Sequence, residues 1–267
     1  MGKKYVHGYT SRESQRLHDQ AATLTDLLHF DTLYPSGHRV LEAGCGVGAQ
    51  TTVLAKHSPG AQFVAVDISD DSLVQAKRLV LAEGIENVQF ELQDVNDLTF
   101  KSDSFDHVFV CFLLEHMKDP TKTLLELKRV LKSGGTMTII EGDHGSAYFH
   151  PDSEAARKTI RCQINLQSRS GGNANIGRSL YPLMVQAGFG NPYVTPRMVY
   201  ADDSRPALVE GFTRNTFTAM VKGIRDKAVD MKLIDLKTFD QGIRDLYQTA
   251  EPGGTFCYTF FKAQAVK

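Results

Sequence analysis

The sequence has no cysteine pair. Its four cysteines, Cys45, Cys111, Cys162 and Cys257, lie far apart, and none stands in a C-x-x-C spacing. That spacing offers neither a zinc site nor a disulfide framework, so no metal is expected and reduced thiols in a cytoplasm are the favoured reading. Nor is there charge of one sign to spare. Thirty Lys and Arg stand against 31 Asp and Glu, a formal net charge of −1, so no global field recruits nucleic acid or an anionic membrane. No apolar run approaches the length of a membrane span. The N-terminus, MGKKYVHGYTSRESQ, lacks the apolar centre of a secretory signal. It opens Met-Gly, but Val6 occupies the position where myristoylation wants Ser or Thr. No repeat, low-complexity tract or flexible linker interrupts the chain. The expectation is a cytoplasmic protein with no nucleic-acid partner and no stable membrane insertion.

What is present is ordinary globular material. The 267 residues are 42% hydrophobic and 23% charged, enough for one large domain with a sizeable core. Through the first half, strand and helix patterns alternate. Ser14 to Phe30 has apolar residues at helical spacing. HRVLEA reads as a buried strand, AQTTVLAKHS as a helix, QFVAVD as a strand ending on Asp67, and Asp70 to Glu83 as a helix capped by Ser69 or Asp70 and stopped by Gly84. NVQFELQD, SFDHVFVCFLL and GTMTIIEGD are three further strands, with the helix DPTKTLLELKRVLKSGG before the last. Successive β-α-β units with right-handed crossovers predict an α/β, doubly wound, mostly parallel sheet with helices on both faces. Ligands of such sheets sit outside the carboxyl ends of the strands. Glu42, Asp67, Asp94, Cys111–Glu115 and Glu141–His144 all fall at such ends.

The alternation stops after Asp143. Residues 144–174 read as a helical insertion ending in the loop GGNANIG. RSLYPLMVQAGF reads as a helix, YVTPRMVY as a strand, residues 205–249 as further helices, and GTFCYTFFKAQAV as a closing strand. The insertions look like a lid on one domain.

The glycine loop carries the first functional signal. Gly44, Gly46 and Ala49 in LEAGCGVGA match the G-x-G-x-x-G/A pattern that approaches a dinucleotide pyrophosphate, and Asp67 stands where an acid would hold a ribose. Glu42 argues against a phosphate, because in a partly desolvated cleft two like charges repel by a few kcal/mol. A second acidic strand end, LQDV, is also more than a dinucleotide needs. S-adenosyl-L-methionine accounts for both. It has no phosphate and carries an ammonium, a sulfonium, a ribose diol and an adenine amine, so its site favours several carboxylates. Glu42 suits the cationic methionine end, Asp67 the ribose and Asp94 the adenine amine.

VLEAGCGVG, VAVDIS, LQDV, FDHVFVCFLLEHMKDP and RVLKSGGTMTI resemble the successive motifs of Rossmann-like (class I) S-adenosylmethionine-dependent methyltransferases, nearest the small-molecule group of ubiquinone and menaquinone biosynthesis. The resemblance is strong over residues 37–142 and looser beyond. It implies a seven-stranded sheet whose last strand is antiparallel, within a single methyltransferase domain over residues 1–267. In that domain residues 1–30 form an N-terminal helical lid, 37–142 the cofactor-binding core, and 144–174 and 205–249 substrate-side helical insertions. By position, Gly44, Gly46 and Gly48 would cradle the methionine part. Asp67 would hold the ribose, with Ile68 packing on the adenine. Asp94 would hold the adenine amine, with Val95 beside it, and Cys111 would offer its carbonyl to the ammonium. GYTSRESQRLHDQA resembles the lid of some members, where Tyr9, Arg16 and Gln20 would close over the cofactor.

Methyl transfer is an in-line displacement, in which bringing the partners together supplies much of the acceleration. Some acceptors must also lose a proton to a base. His144 and His116 are the candidates; LEH more often shapes its loop, and His144 stands where the lid begins. Asn175 is expected to cap the next helix. Phe112, Tyr148, Phe149, Phe212, Phe217 and Tyr247 are aromatic candidates for the pocket of a small, partly apolar acceptor, with core packing the plainer role for at least half. Asn191-Pro192-Tyr193 resembles a signature of amino-methylating enzymes on nucleic acid, but it opens a late strand and reads as a turn. An NAD-dependent oxidoreductase and a non-catalytic S-adenosylmethionine-binding protein are the rival functions.

Overall fold

A computed structural model describes residues 23–267. Residues 23–29 are helical (α1). Then follow β1 (Arg39–Ala43), α2 (Ala49–His57), β2 (Gln62–Asp67), α3 (Asp70–Ala82), β3 (Val88–Leu92), β4 (Phe105–Cys111), α4 (Pro120–Val130) and β5 (Leu131–His150). Beyond them lie α5 (Glu154–Arg169), α6 (Leu180–Gln186) and β6 (Gly190–Ala201). A helical stretch is made of α7 (Pro206–Leu208), a π-helical segment (Val209–Thr218) and α8 (Ala219–Gly223). The chain closes with α9 (Arg225–Asp230), α10 (Leu236–Gln248) and β7 (Thr255–Val266).

The seven strands form one sheet in the order β3-β2-β1-β4-β5-β7-β6. β1 lies parallel to β2 on one side and β4 on the other, with Leu41 level with both Val64 and Val108. β3 and β5 continue the parallel set. β7 is reversed: the Lys267 amide donates to the Gly135 carbonyl at 3.0 Å, while the Thr259 amide donates to Ser146 Oγ at 2.9 Å. Numbering along β7 thus falls as that along β5 rises. The doubly wound sheet with an antiparallel last strand is the one the motifs imply. Its strand order reverses between β1 and β4, which locates the ligand crevice at their carboxyl ends.

The chain groups into two compact units. One comprises Leu28–Glu141, Ile176–Pro196 and Phe261–Lys267. Its core is built from the inward faces of the parallel strands and the apolar stripes of their helices, among them Leu41, Val108, Val110, Leu124, Leu127 and Ile139, all fully buried or nearly so. Local signals end the helices where they should. Ser69 Oγ accepts from the Ser72 amide at the start of α3, and Asp119 Oδ1 accepts from the Lys122 amide at 2.9 Å at the start of α4, beside Pro120. The other unit comprises Gly142–Asn175, Arg197–Phe260 and residues 23–27 of the described chain. In it α5 and α10 approach so closely that a Cβ on Gly242 would stand 2.2 Å from Thr159 Oγ1 and 2.6 Å from the Ala155 carbonyl. Phe212, Phe217, Phe256, Tyr258 and Phe260 form its aromatic core, with ring centroids 4.7–6.3 Å apart.

Two boundaries differ from expectation. The helix expected to run through KSGG ends at Val130, and Leu131 already stands level with Phe105 in the sheet; an irregularity absorbs the residues before Thr136 pairs with His107. β5 also continues to His150, so residues 144–150 are strand where a helical insertion is expected. The long partner β7 lies beside β5 in the sheet and supplies the ladder. A glycine- and histidine-rich stretch does not announce a strand that depends on so distant a partner.

Candidate functional site

The loop between β1 and α2 is fixed from below and open above. The amides of Gly44 and Cys45 both donate to the Val66 carbonyl, at 2.8 and 3.0 Å, tying the loop to β2. Gly48 has φ +83°, and a Cβ there would meet Ala76 Cα of α3 at 2.9 Å, so only glycine fits. Gly46 also has positive φ, +52°, but a Cβ there would meet no described residue within 4 Å. The first glycine serves packing against the protein; the second faces open space, as backbone does where a ligand approaches.

Acidic groups stand at three neighbouring strand ends. Asp67, at the end of β2, accepts from the Gly46 amide through Oδ2 at 2.8 Å and from the Ser69 amide through Oδ1 at 2.9 Å. Burial raises its pKa, against the pull of these amides and that of Ile68. Each carboxylate oxygen retains a lone pair for a further donor. Ile68 is 56% exposed, an apolar side chain available to a flat ring. Asp94, beyond β3, accepts through Oδ1 from the Asn96 amide and side chain at 2.9 and 2.8 Å. Val95 is buried in the core. Cys111 closes β4, level with Ile140 of β5.

Glu42 is the decisive residue. It is 3% exposed in the middle of the sheet, and its Oε2 has no hydrogen-bond partner among the described residues. Burial, with Asp67 adding to it, pushes its pKa to about 8, and the nearby Thr51 hydroxyl opposes the rise. A buried carboxyl oxygen left without a partner costs about 1–3 kcal/mol. A cation would satisfy its carboxylate form, drawing off the proton that burial holds there. The carboxylates at these strand ends therefore fit the cationic methionine end of S-adenosylmethionine.

Tyr9, Arg16 and Gln20 lie outside the described residues. His116 is mostly buried on the short 3-10 turn Leu114–His116, its Nε2 3.6 Å from Glu115 Oε1. His144 is 7% exposed in the other unit; its Nδ1 lies 2.8 Å from Tyr258 Oη, its amide donates to the Ala174 carbonyl, and the Phe217 ring meets it edge-on. Of the aromatic candidates, Phe212 and Phe217 are core, Phe149 stacks on Phe256, and Tyr148 is exposed. Asn175 is no helix cap. Its Oδ1 accepts from the Gly145 amide at 2.8 Å, a tie to β5 that replaces the expected local bond. Asn191-Pro192-Tyr193, expected as a turn, lie within β6, with Asn191 at φ +47° the one left-handed position of its first residues.

Three residues with no assigned role in the sequence matter here. Glu141 accepts from the Leu113 and Leu114 amides. Lys262 is 1% exposed, with Nζ 2.6 Å from both Asp31 Oδ1 and Thr32 Oγ1 and 3.3 Å from the Leu28 carbonyl, so it closes the end of α1. His29 Nε2 lies 2.6 Å from Gln50 Oε1, next to the glycine loop, and burial lowers its pKa to about 4. The available signals are the place of Glu141 at a strand end and a lysine inside a strand pattern. Among the described residues no cluster of metal-ligating side chains occurs, and no helix is long and apolar enough to cross a membrane.

A family model described as a methyltransferase domain matches residues 35–188. An uncharacterised 37.1 kDa protein of transposon TN4556 from Streptomyces fradiae is 33% identical over 202 residues, covering 74% of this chain and 57% of that protein. A demethylmenaquinone methyltransferase from Clavibacter sepedonicus is 40% identical over 106 residues, covering 40% of this chain and 42% of that protein. The chain spans about half the length of the curated relatives it matches. Among solved structures, a phosphoethanolamine N-methyltransferase 2 from Haemonchus contortus, in complex with phosphomonomethylethanolamine and S-adenosylhomocysteine, has a TM-score of 0.57 at 20% identity. It matches 92% of this chain and 52% of its own, a likeness of fold.

Proposed function

The chain belongs to the Rossmann-like S-adenosylmethionine-dependent methyltransferase family, and we propose that it transfers a methyl group from S-adenosylmethionine to a small-molecule acceptor. The observation that carries the proposal is the buried, unpartnered Oε2 of Glu42 beside a glycine loop open at Gly46. When bound, the cofactor supplies a methyl group on a sulfonium for in-line displacement.

The chain's residues then have distinct tasks. Glu42 meets the cationic methionine end, and the Cys111 carbonyl takes the ammonium. Gly44, Gly46 and Gly48 shape the loop, Gly46 admitting the cofactor closely. Asp67 takes the ribose hydroxyls with the lone pairs its two amide donors leave, Ile68 covers the adenine, and Asp94 takes the adenine amine. Val95 backs Asp94 from the core. Tyr9, Arg16 and Gln20 contribute from the N-terminal segment. His144 removes a proton from the acceptor where one must leave, with Tyr258 fixing its ring through Nδ1; His116 is the alternate base. Residues 37–142 are the cofactor core of one methyltransferase domain, a reading supported by the family model's match to residues 35–188. The near-zero net charge supports a small acceptor over nucleic acid. Four free cysteines support a cytoplasmic setting.

The test is a screen of small phenols, carboxylates, amines and quinol precursors with methyl-labelled cofactor. Label moving to an acceptor supports the proposal. Tight cofactor binding with no transfer to any of them would leave a binding protein in its place.

A further inference from the structure

The end of β4 is held in an unusual shape by a residue remote in sequence. Phe112, directly after Cys111, has φ +55°, a left-handed conformation costly for an aromatic side chain. Its amide donates to the Ile140 carbonyl at 2.9 Å. The next two amides, of Leu113 and Leu114, both donate to Glu141 Oε1, at 3.0 and 2.6 Å. These amides open the short turn Leu114–His116, where backbone donors lack intrahelical partners. Glu141 caps that turn from the neighbouring strand, and it is 0% exposed.

The turn in turn touches the glycine loop. A Cβ on Gly44 would stand 2.8 Å from Leu113 Cδ1, so the Leu113 side chain lies directly against the backbone at Gly44. A continuous series of contacts thus leads from Glu141 through Leu113 to the loop after β1. Glu141 bears a cost for this position: its Oε2 has no hydrogen-bond partner among the described residues, and burial with Glu115 nearby raises its pKa well above the usual carboxylate range. An apolar side chain would avoid that cost but could not accept the two amides.

We propose that Glu141 is a positioning residue of the cofactor pocket, clamping the strained turn Phe112–Glu115 so that the Cys111 carbonyl and the Gly44 backbone are held in place. The proposal rests on the reading of the β1–β4 crevice as the cofactor site. The clamp needs an acceptor oxygen and no charge.

The test compares Glu141→Gln, which keeps the oxygen, with Glu141→Met, which keeps the shape and loses it. S-adenosylhomocysteine affinity is measured by calorimetry, and exchange of the Leu113 and Leu114 amides by NMR. Glu141→Gln should bind within threefold of the unmodified protein. Glu141→Met should bind at least tenfold more weakly, with both amides exchanging at least tenfold faster. Unchanged affinity and protection in Glu141→Met, or an equal loss in Glu141→Gln, overturns the proposal. If Glu141→Met does not fold, Glu141→Asp, which draws the oxygen back by one methylene, should bind at least threefold more weakly, and affinity equal to that of the unmodified protein overturns the clamp. Failure of the unmodified protein to bind S-adenosylhomocysteine would instead defeat the cofactor assignment, and amide exchange in the same variants would still decide the clamp.

Discussion

The Gly46 amide donates to Asp67 Oδ2 at 2.8 Å, so the open point of the glycine loop and the acidic end of β2 are one structure. Asp67 shapes the loop through its amide contacts, and in the proposed role it also presents its remaining lone pairs to the ribose. Replacing it with Ala should remove both and weaken S-adenosylhomocysteine binding by about 1–3 kcal/mol, the scale of lost charged hydrogen bonds. Calorimetry measures this directly, and unchanged affinity would refute the role.

Gly46 and Gly48 should separate binding from stability. Gly48→Ala places a Cβ 2.9 Å from Ala76 Cα at φ +83°. It should lower stability by about 1–3 kcal/mol, seen as a drop in Tm. Gly46→Ala has space within the protein, so its Tm should fall less while cofactor affinity falls more. Equal Tm losses with intact binding in both would contradict the assignment of Gly46 to the ligand.

Glu42 predicts a pH dependence. Its pKa in the folded protein is raised from 4.5 to about 8. Between those values the folded state keeps a proton that the unfolded state has lost. Its contribution to stability is therefore complete below pH 4.5 and is lost as the pH rises through about 8. A bound cation requires the carboxylate instead. At pH 7 S-adenosylhomocysteine binding should therefore release close to one proton, and affinity should increase toward pH 8 by up to about tenfold per unit. Calorimetry in buffers of different ionisation enthalpy measures the release. Glu42→Gln should abolish it, and a binding enthalpy independent of buffer in the unmodified protein would contradict the mechanism.

His144→Ala should reduce methyl transfer to an acceptor found in the screen by about 100-fold or more, the scale of general base catalysis, with cofactor affinity within threefold. Tyr258→Phe keeps the ring but removes the Oη that lies 2.8 Å from Nδ1; it should shift the pH profile of kcat. Turnover at the unmodified level in His144→Ala would exclude it as the base.

Much of the candidate cofactor site is legible in the sequence because it is built from local signals. A strand pattern ending on an acid, followed by glycine or a helix cap, places Glu42, Asp67 and Asp94 at one edge of a parallel sheet. The residues that escape such reading act across long separations. Glu141 meets amides 27 and 28 positions away, and Lys262 meets Asp31 and Thr32 across more than 200. Asn175, expected to cap its own helix, bonds an amide 30 residues back. The extension of β5 to His150 likewise needs β7. Spacing reveals what a segment does for itself; these contacts exist only once the sheet has brought distant segments together.

The most direct test of the account is calorimetric titration of the protein with S-adenosylhomocysteine and, separately, with NAD. The donor set around Glu42, Gly46 and Asp67 predicts saturable micromolar or tighter binding of S-adenosylhomocysteine and none of NAD. Binding of NAD without S-adenosylhomocysteine would contradict the account at its centre.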